Sequence, residues 1–165
     1  MEYFFNFEKI SYLTGERTGT CTLCLIRDES PGVTNLLVYR NEHIGVSLNL
    51  YPYNPGHLLV FPLRHVEDIR DLDGEERRAL DDALDKSLSV MDGLYTPHAY
   101  NIGFNMGKAA GASIKHLHLH VIPRYPDEIG VAELLGGKRV LVEDPLATLK
   151  KLRSALGYPP QNSPA

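Results

Sequence analysis

Cysteine is scarce in this sequence. Only Cys21 and Cys24 occur, in CTLC, so no disulfide framework can be built, and the spacing suits a redox pair or half of a zinc site. A strong charge of one sign is also missing. The formal net charge of −4 argues against broad binding to a nucleic-acid backbone, while leaving room for one local basic pocket. No run of about eighteen apolar residues exists, so no transmembrane helix is expected. The opening MEYFFNFEKI has acids where a secretory leader would have a basic stretch. A cytoplasmic protein without a membrane partner is the expectation. No internal repeat is visible. The remaining composition, 43% hydrophobic and 23% charged over 165 residues, is that of one globular core. A single domain over residues 1–158 is expected, with a flexible tail over 159–165.

The hydrophobic pattern is mostly that of strands. The aromatic first twenty residues suit a short strand or a covering arm. LLVYRNEHIGVSLNL, Leu36 to Leu50, predicts two strands about a tight turn at Asn41-Glu42. YPYNPGH must be a loop, and HLLVFP, His57 to Pro62, is another strand closed by proline. The period then lengthens. Leu72, Asp73 and Glu76 form a staple and capping box ahead of a helix running to about Met91. Leu80, Leu84, Leu88 and Met91 are its apolar stripe, and Arg78, Asp81, Asp82 and Asp85 its solvent face. AYNIGFN, Ala99 to Asn105, and SIKHLHLHVIP, Ser113 to Pro123, are two further strands. A last helix begins at Asp144-Pro145, carries Leu146, Leu149, Leu152 and Leu156 as its stripe, and stops at Gly157. Regular βαβ alternation is lacking. The fold class expected is therefore α+β: an antiparallel sheet with the long helix packed on it and a C-terminal helix.

KHLHLHVIP, Lys115 to Pro123, places histidine at every second position. Alternate side chains of a strand share a face, about 6.5–7 Å apart. His116, His118 and His120 then point one way, and Leu117, Leu119 and Val121 point into the core. Buried rings need hydrogen bonds or a ligand. Two chemistries fit: a metal site, or histidine chemistry on a phosphate. Three rings closing on one ion from a flat strand is awkward. A ligand set drawn from CTLC and from His43, His57, His65 or His98 closes more easily. NMGKAAGAS precedes the row, and its small residues let an anion approach backbone N–H groups, with Asn105, Lys108 and Ser113 as further donors. GKAAG lacks the Walker order.

These motifs resemble the histidine triad family. HLHLHVI matches His-x-His-x-His followed by two apolar residues, PGHLLVFPLRHVEDI resembles the upstream family signature, and NMGKAAGASIKHLHLHVIPR has the matching spacing. The resemblance runs from about Cys21 to Arg124. It implies a nucleotide-binding α+β fold, usually homodimeric, and an enzyme of the hydrolase, transferase or phosphorylase type. His118 would attack the α-phosphorus, His120 would bind the phosphoryl oxygens, and His57 would act near the phosphate or leaving group. Asn105 and Ser113 match phosphate or leaving-group contacts, Asn49 a ribose contact, and Lys108 is a further candidate for the phosphates. Members carrying CxxC imply a structural zinc on Cys21, Cys24, His65 and His116.

Where many members have Gly-Gln-Ser, this chain has Gly111-Ala112-Ser113. That form, with Pro-Arg after the triad, is similar to the diadenosine tetraphosphate hydrolase and phosphorylase branch. The expected partner is a purine nucleotide or dinucleoside polyphosphate, with no nucleic acid and no membrane. A purine nucleoside phosphoramidase and a nucleotide-binding regulatory protein with little turnover are the rival readings. Tyr51 and Tyr53 are candidates for the base pocket. Arg124 is a candidate for pairing an acid or reaching a polyphosphate tail, and GVAELLGGKRVLVEDP for an arm, a dimer edge or a cover over the base.

Overall fold

The computed structural model describes residues 20–126 and 143–159. The expectations for the aromatic N-terminal stretch, for the GVAELLGGKRVLVEDP segment up to residue 142 and for the tail beyond 159 lie outside the described residues. In chain order the elements are α1 (Thr22–Arg27), β1 (Leu37–Arg40), β2 (Ile44–Leu48), β3 (Leu58–Pro62) and a 3₁₀ turn (Ile69–Asp71). There follow α2 (Gly74–Tyr95), β4 (Ala99–Phe104), a second 3₁₀ turn (Lys108–Ala110), β5 (Leu119–Arg124) and α3 (Pro145–Leu156). The strands form one antiparallel sheet in the order β1-β2-β3-β5-β4. The α+β class holds, with the long helix and the C-terminal helix both on the sheet. Among the described residues no helix is long and apolar enough to cross a membrane.

Local chemistry explains each element. The Asn41 side chain accepts from the backbone N–H groups of His43 and Ile44 and closes the first hairpin. At α2 the Asp73 carboxylate accepts from the Glu75 and Glu76 N–H groups, and Glu76 reaches back to the Asp73 N–H. This is the reciprocal cap read from the sequence. Arg64 clamps the same Glu76 carboxylate at 2.7 and 2.9 Å. Met91 and Leu80 of α2 are buried, while Leu84 and Leu88 pack partly buried at the margin. In α3, Leu149, Leu152 and Leu156 are buried but Leu146 is 61% exposed. The expected stripe is shorter than the leucine spacing suggests, because Leu146 sits in the first turn, before the helix reaches the sheet.

The sheet has two dissimilar faces. Leu58, Val60, Leu117, Leu119 and Val121 meet α2 and α3 in the main core. Leu37, Leu59 and Phe61 form a second cluster with Leu23 and Ile26 of α1. CTLC thus opens a short helix, with Cys21 at its N-cap position, that covers the second face.

One expectation needs correction. The strand does not begin at Ser113 but at Leu119. β3 ends at Pro62, which has no N–H to extend the ladder toward β5. Upstream of Leu119 the chain peels away, and the Leu117 N–H goes instead to the Val66 carbonyl at 2.7 Å. The histidine row therefore spans a junction, with only His120 inside the ladder.

Candidate active site

The junction divides the histidines. His116, almost wholly buried, has its Nε2 2.8 Å from the Pro62 carbonyl oxygen. A carbonyl only accepts, so Nε2 carries the proton and Nδ1 is a lone pair. That lone pair faces Cys21 Sγ at 3.3 Å and Cys24 Sγ at 3.6 Å, and Cys24 Sγ lies 3.4 Å from His65 Nδ1. The four donor atoms of Cys21, Cys24, His65 and His116 lie within 4.8 Å of one another. Tetrahedral zinc, with sulfur at about 2.3 Å and nitrogen at about 2.0 Å, sets neighbouring donors about 3.5 Å apart. The spacing fits, and the Pro62 carbonyl is the outer partner that a metal-bound imidazole uses to fix its tautomer. Burial, with Cys21 alongside, pushes the Cys24 thiol up to about 11. A cation is the partner that turns such thiols into thiolates.

The other histidines line up toward a cavity. His118 Nδ1 lies 2.6 Å from the His116 carbonyl oxygen, so Nδ1–H donates and Nε2 keeps its lone pair. Burial holds the His118 ring below its ordinary value, and it stays neutral at neutral pH. The His120 ring stands 4.8 Å from it, at 69°. His120 is ordered from behind. The Tyr53 backbone N–H donates to His57 Nδ1 at 3.1 Å, which puts the His57 proton on Nε2. That nitrogen is 3.0 Å from His120 Nδ1, so His120 accepts there and carries its own proton on Nε2. His120 Nε2 lies 3.4 Å from the Asn105 side-chain amide nitrogen; two donors cannot pair, so an N–H on Nε2 requires the Asn105 amide to turn its oxygen to that ring. Burial pushes His57 down to about 3 and His120 to about 4, helped by the neighbouring rings. His118 and His120 thus present one bare imidazole nitrogen and one imidazole N–H side by side.

The cavity above them measures about 270 Å³. His118, His120, Asn49, Asn105, Ser113, Tyr51 and Tyr53 all line it. Asn49 is oriented by the Tyr51 N–H, which donates to its Oδ1 at 3.1 Å. Two expected residues are elsewhere. His57 is fully buried behind His120; it does not line the cavity, but meets the lining Asn49 amide at 3.2 Å and stacks on Tyr53 with centroids 5.3 Å apart. Lys108 is exposed on the 3₁₀ turn and does not line the cavity. Sequence reasoning missed the apolar wall supplied by Leu23, Ile26 and Val33. A six-residue helix shows too little periodicity to reveal which face is covered. His43 pairs loosely with Glu75 at 3.8 Å, apart from both clusters.

Fold and site together define an α+β domain in which a four-donor cluster of metal-ligating type abuts a histidine-floored cavity. The chain belongs to the HIT-domain family: the HIT domain matches residues 31–127. It is 40% identical over 107 residues to the AP-4-A phosphorylase of Mycobacterium tuberculosis, covering 64% of this chain and 55% of that protein. The chain thus spans about half the length of that relative. It is 32% identical over 131 residues to a HIT-like protein of Methanocaldococcus jannaschii, covering 79% of this chain and 98% of the other. A solved structure of a Zn-bound histidine triad family protein from Mycobacterium smegmatis is similar at a TM-score of 0.67 and 28% identity. The match covers 84% of this chain and 94% of that one.

Proposed function

We propose that the protein is a nucleotidyl hydrolase or transferase acting at the α-phosphate of a purine dinucleoside polyphosphate, such as diadenosine tetraphosphate. The observation that carries this reading is the 2.6 Å bond from His118 Nδ1–H to the His116 carbonyl. It leaves a neutral nucleophilic nitrogen at the cavity floor beside an N–H donor. His118 Nε2 attacks the α-phosphorus, and the phosphorus–oxygen bond to the departing polyphosphate breaks. His120 Nε2–H meets the charge growing on a phosphoryl oxygen. Water or phosphate then displaces the nucleotide from His118. Asn49 contacts the ribose, and Asn105 and Ser113 contact phosphate oxygens. Lys108, outside the cavity, reaches only phosphates that extend beyond it. His57 acts as a positioning residue. The name of the 40% identical relative, an AP-4-A phosphorylase, supports the substrate class.

Zinc on Cys21, Cys24, His65 and His116 is structural in this reading, since four protein donors leave no open position. Reduced thiols at such a site suit the cytoplasm. A homodimer through β4 is part of the reading. β4 ends the sheet, and its Ile102 is 45% exposed, the kind of edge that pairs with another strand.

The test is a product time course on diadenosine tetraphosphate with and without inorganic phosphate. AMP with ATP indicates hydrolysis; ADP with ATP, appearing only with phosphate, indicates phosphorolysis. A nucleoside phosphoramidate cleaved far faster than either would displace the dinucleotide assignment.

A further inference from the structure

Helix α1 stands between two sites that share no donor atom. Its six residues are too few to hold a helix alone in water, and its N-cap, Cys21, makes no side-chain capping bond. Cys21 and Cys24 lie three residues apart on the side facing the metal cluster. At 3.6 residues per turn, Leu23 and Ile26 fall on roughly the opposite side. There both line the cavity, together with Thr22. Polar ties at the C-terminal end are the Arg27 guanidinium to the Leu63 carbonyl at 2.7 Å and the Arg40 guanidinium to the Arg27 carbonyl at 2.9 Å. At the N-terminal end the helix is tethered by the two cysteine donors. Two other links bypass the helix: the His116 carbonyl accepts from His118 at 2.6 Å, and Phe61, packed in the same cluster as Leu23 and Ile26, meets the His116 ring edge-on at 5.7 Å.

We propose that α1 couples the two sites. Zinc held by Cys21, Cys24, His65 and His116 orders the cavity wall formed by Thr22, Leu23 and Ile26, so that zinc and nucleotide bind cooperatively without touching. The proposal rests on the nucleotide reading of the cavity. Coupling between two binding equilibria is reciprocal, which provides a readout independent of turnover. AMP is titrated calorimetrically into the zinc-loaded full chain and into the chelated chain. In parallel, the equilibrium partition of zinc between the loaded chain and a competing chelator is measured with and without AMP.

Zinc removal is expected to weaken AMP binding about tenfold, and saturating AMP to tighten zinc by the same factor. Ile26→Ala leaves all four donors in place, and is expected to keep its zinc while losing most of that shift. Zinc partition indifferent to AMP overturns the proposal, and this measurement decides alone if the chelated chain unfolds. Equal AMP affinity in folded loaded and folded chelated chains overturns it too. Absence of AMP binding to the zinc-loaded chain overturns the nucleotide reading itself, and the coupling with it.

Discussion

His116 serves four neighbours through three atoms: its Nδ1 faces the two thiols, its Nε2–H donates to Pro62, and its backbone carbonyl accepts from His118. His118 and His120 owe their tautomers to different sources, one to a carbonyl two residues back and the other to a ring brought in by β3. Substitutions should separate these roles. His118→Ala is expected to lower turnover of diadenosine tetraphosphate by at least about 10³-fold while AMP binding, followed by calorimetry, largely survives. His57→Phe keeps an aromatic ring but removes the donor to His120. Turnover should fall by about 10- to 100-fold with AMP affinity nearly unchanged. Turnover at the level of the unsubstituted protein in His57→Phe would remove His57 from the mechanism. The row and its likeness to a family were legible in sequence. The depth of His57 behind His120 was not, because it depends on how β3 registers against β5.

At the scale of elements, α2 was the most legible part. Its cap is spelled by Asp73 and Glu76, three residues apart, and its stripe recurs at helical spacing. Glu76→Ala removes both the cap reciprocity and the Arg64 clamp. Arg64 is half exposed and can rehydrate, so the expected cost is modest, about 1–2 kcal/mol in denaturant unfolding. An unchanged midpoint would mean that the cap is idle. Strand ends were less legible. A run of alternating residues from Ser113 reads as one strand, yet hydrogen bonding starts only at Leu119. The stop comes from Pro62, fifty-odd positions earlier in sequence and adjacent in space. The turn before β3 has a similar long-range constraint. Gly56 has φ +82°, and a Cβ there would meet Met91 Cε at 2.1 Å, so the residue that sets up His57 answers to a methionine on α2.

Over the whole molecule, the buried histidines make stability depend on acid. Burial and the neighbouring rings push His57 down to about 3 in the folded chain, against 6.5 for the free ring. Between those values the unfolded chain binds the extra proton, so stability rises with pH across that window. Its contribution is complete above about 6.5 and is lost on acidification, by about 1.4 kcal/mol per pH unit for this one ring. Glu76 acts in the same direction but lower, since Arg64 holds its carboxyl below the ordinary range. Urea midpoints between pH 7.5 and 4.5 should fall, and His57→Phe should fall less steeply; parallel curves would exclude this ring as the source. The bond from His118 to the His116 carbonyl is contained within three consecutive residues. Their backbone, though, is held outside the ladder by Pro62 and by the Leu117 N–H bond to Val66, so a graft of residues 116–118 would carry the proposed nucleophile's proton arrangement only if it brought that junction too. The proton arrangement of His120 would still be left behind, because it belongs to His57, the residue just before β3. The candidate active site is thus one part that travels with its junction and one part that exists only where two strands meet.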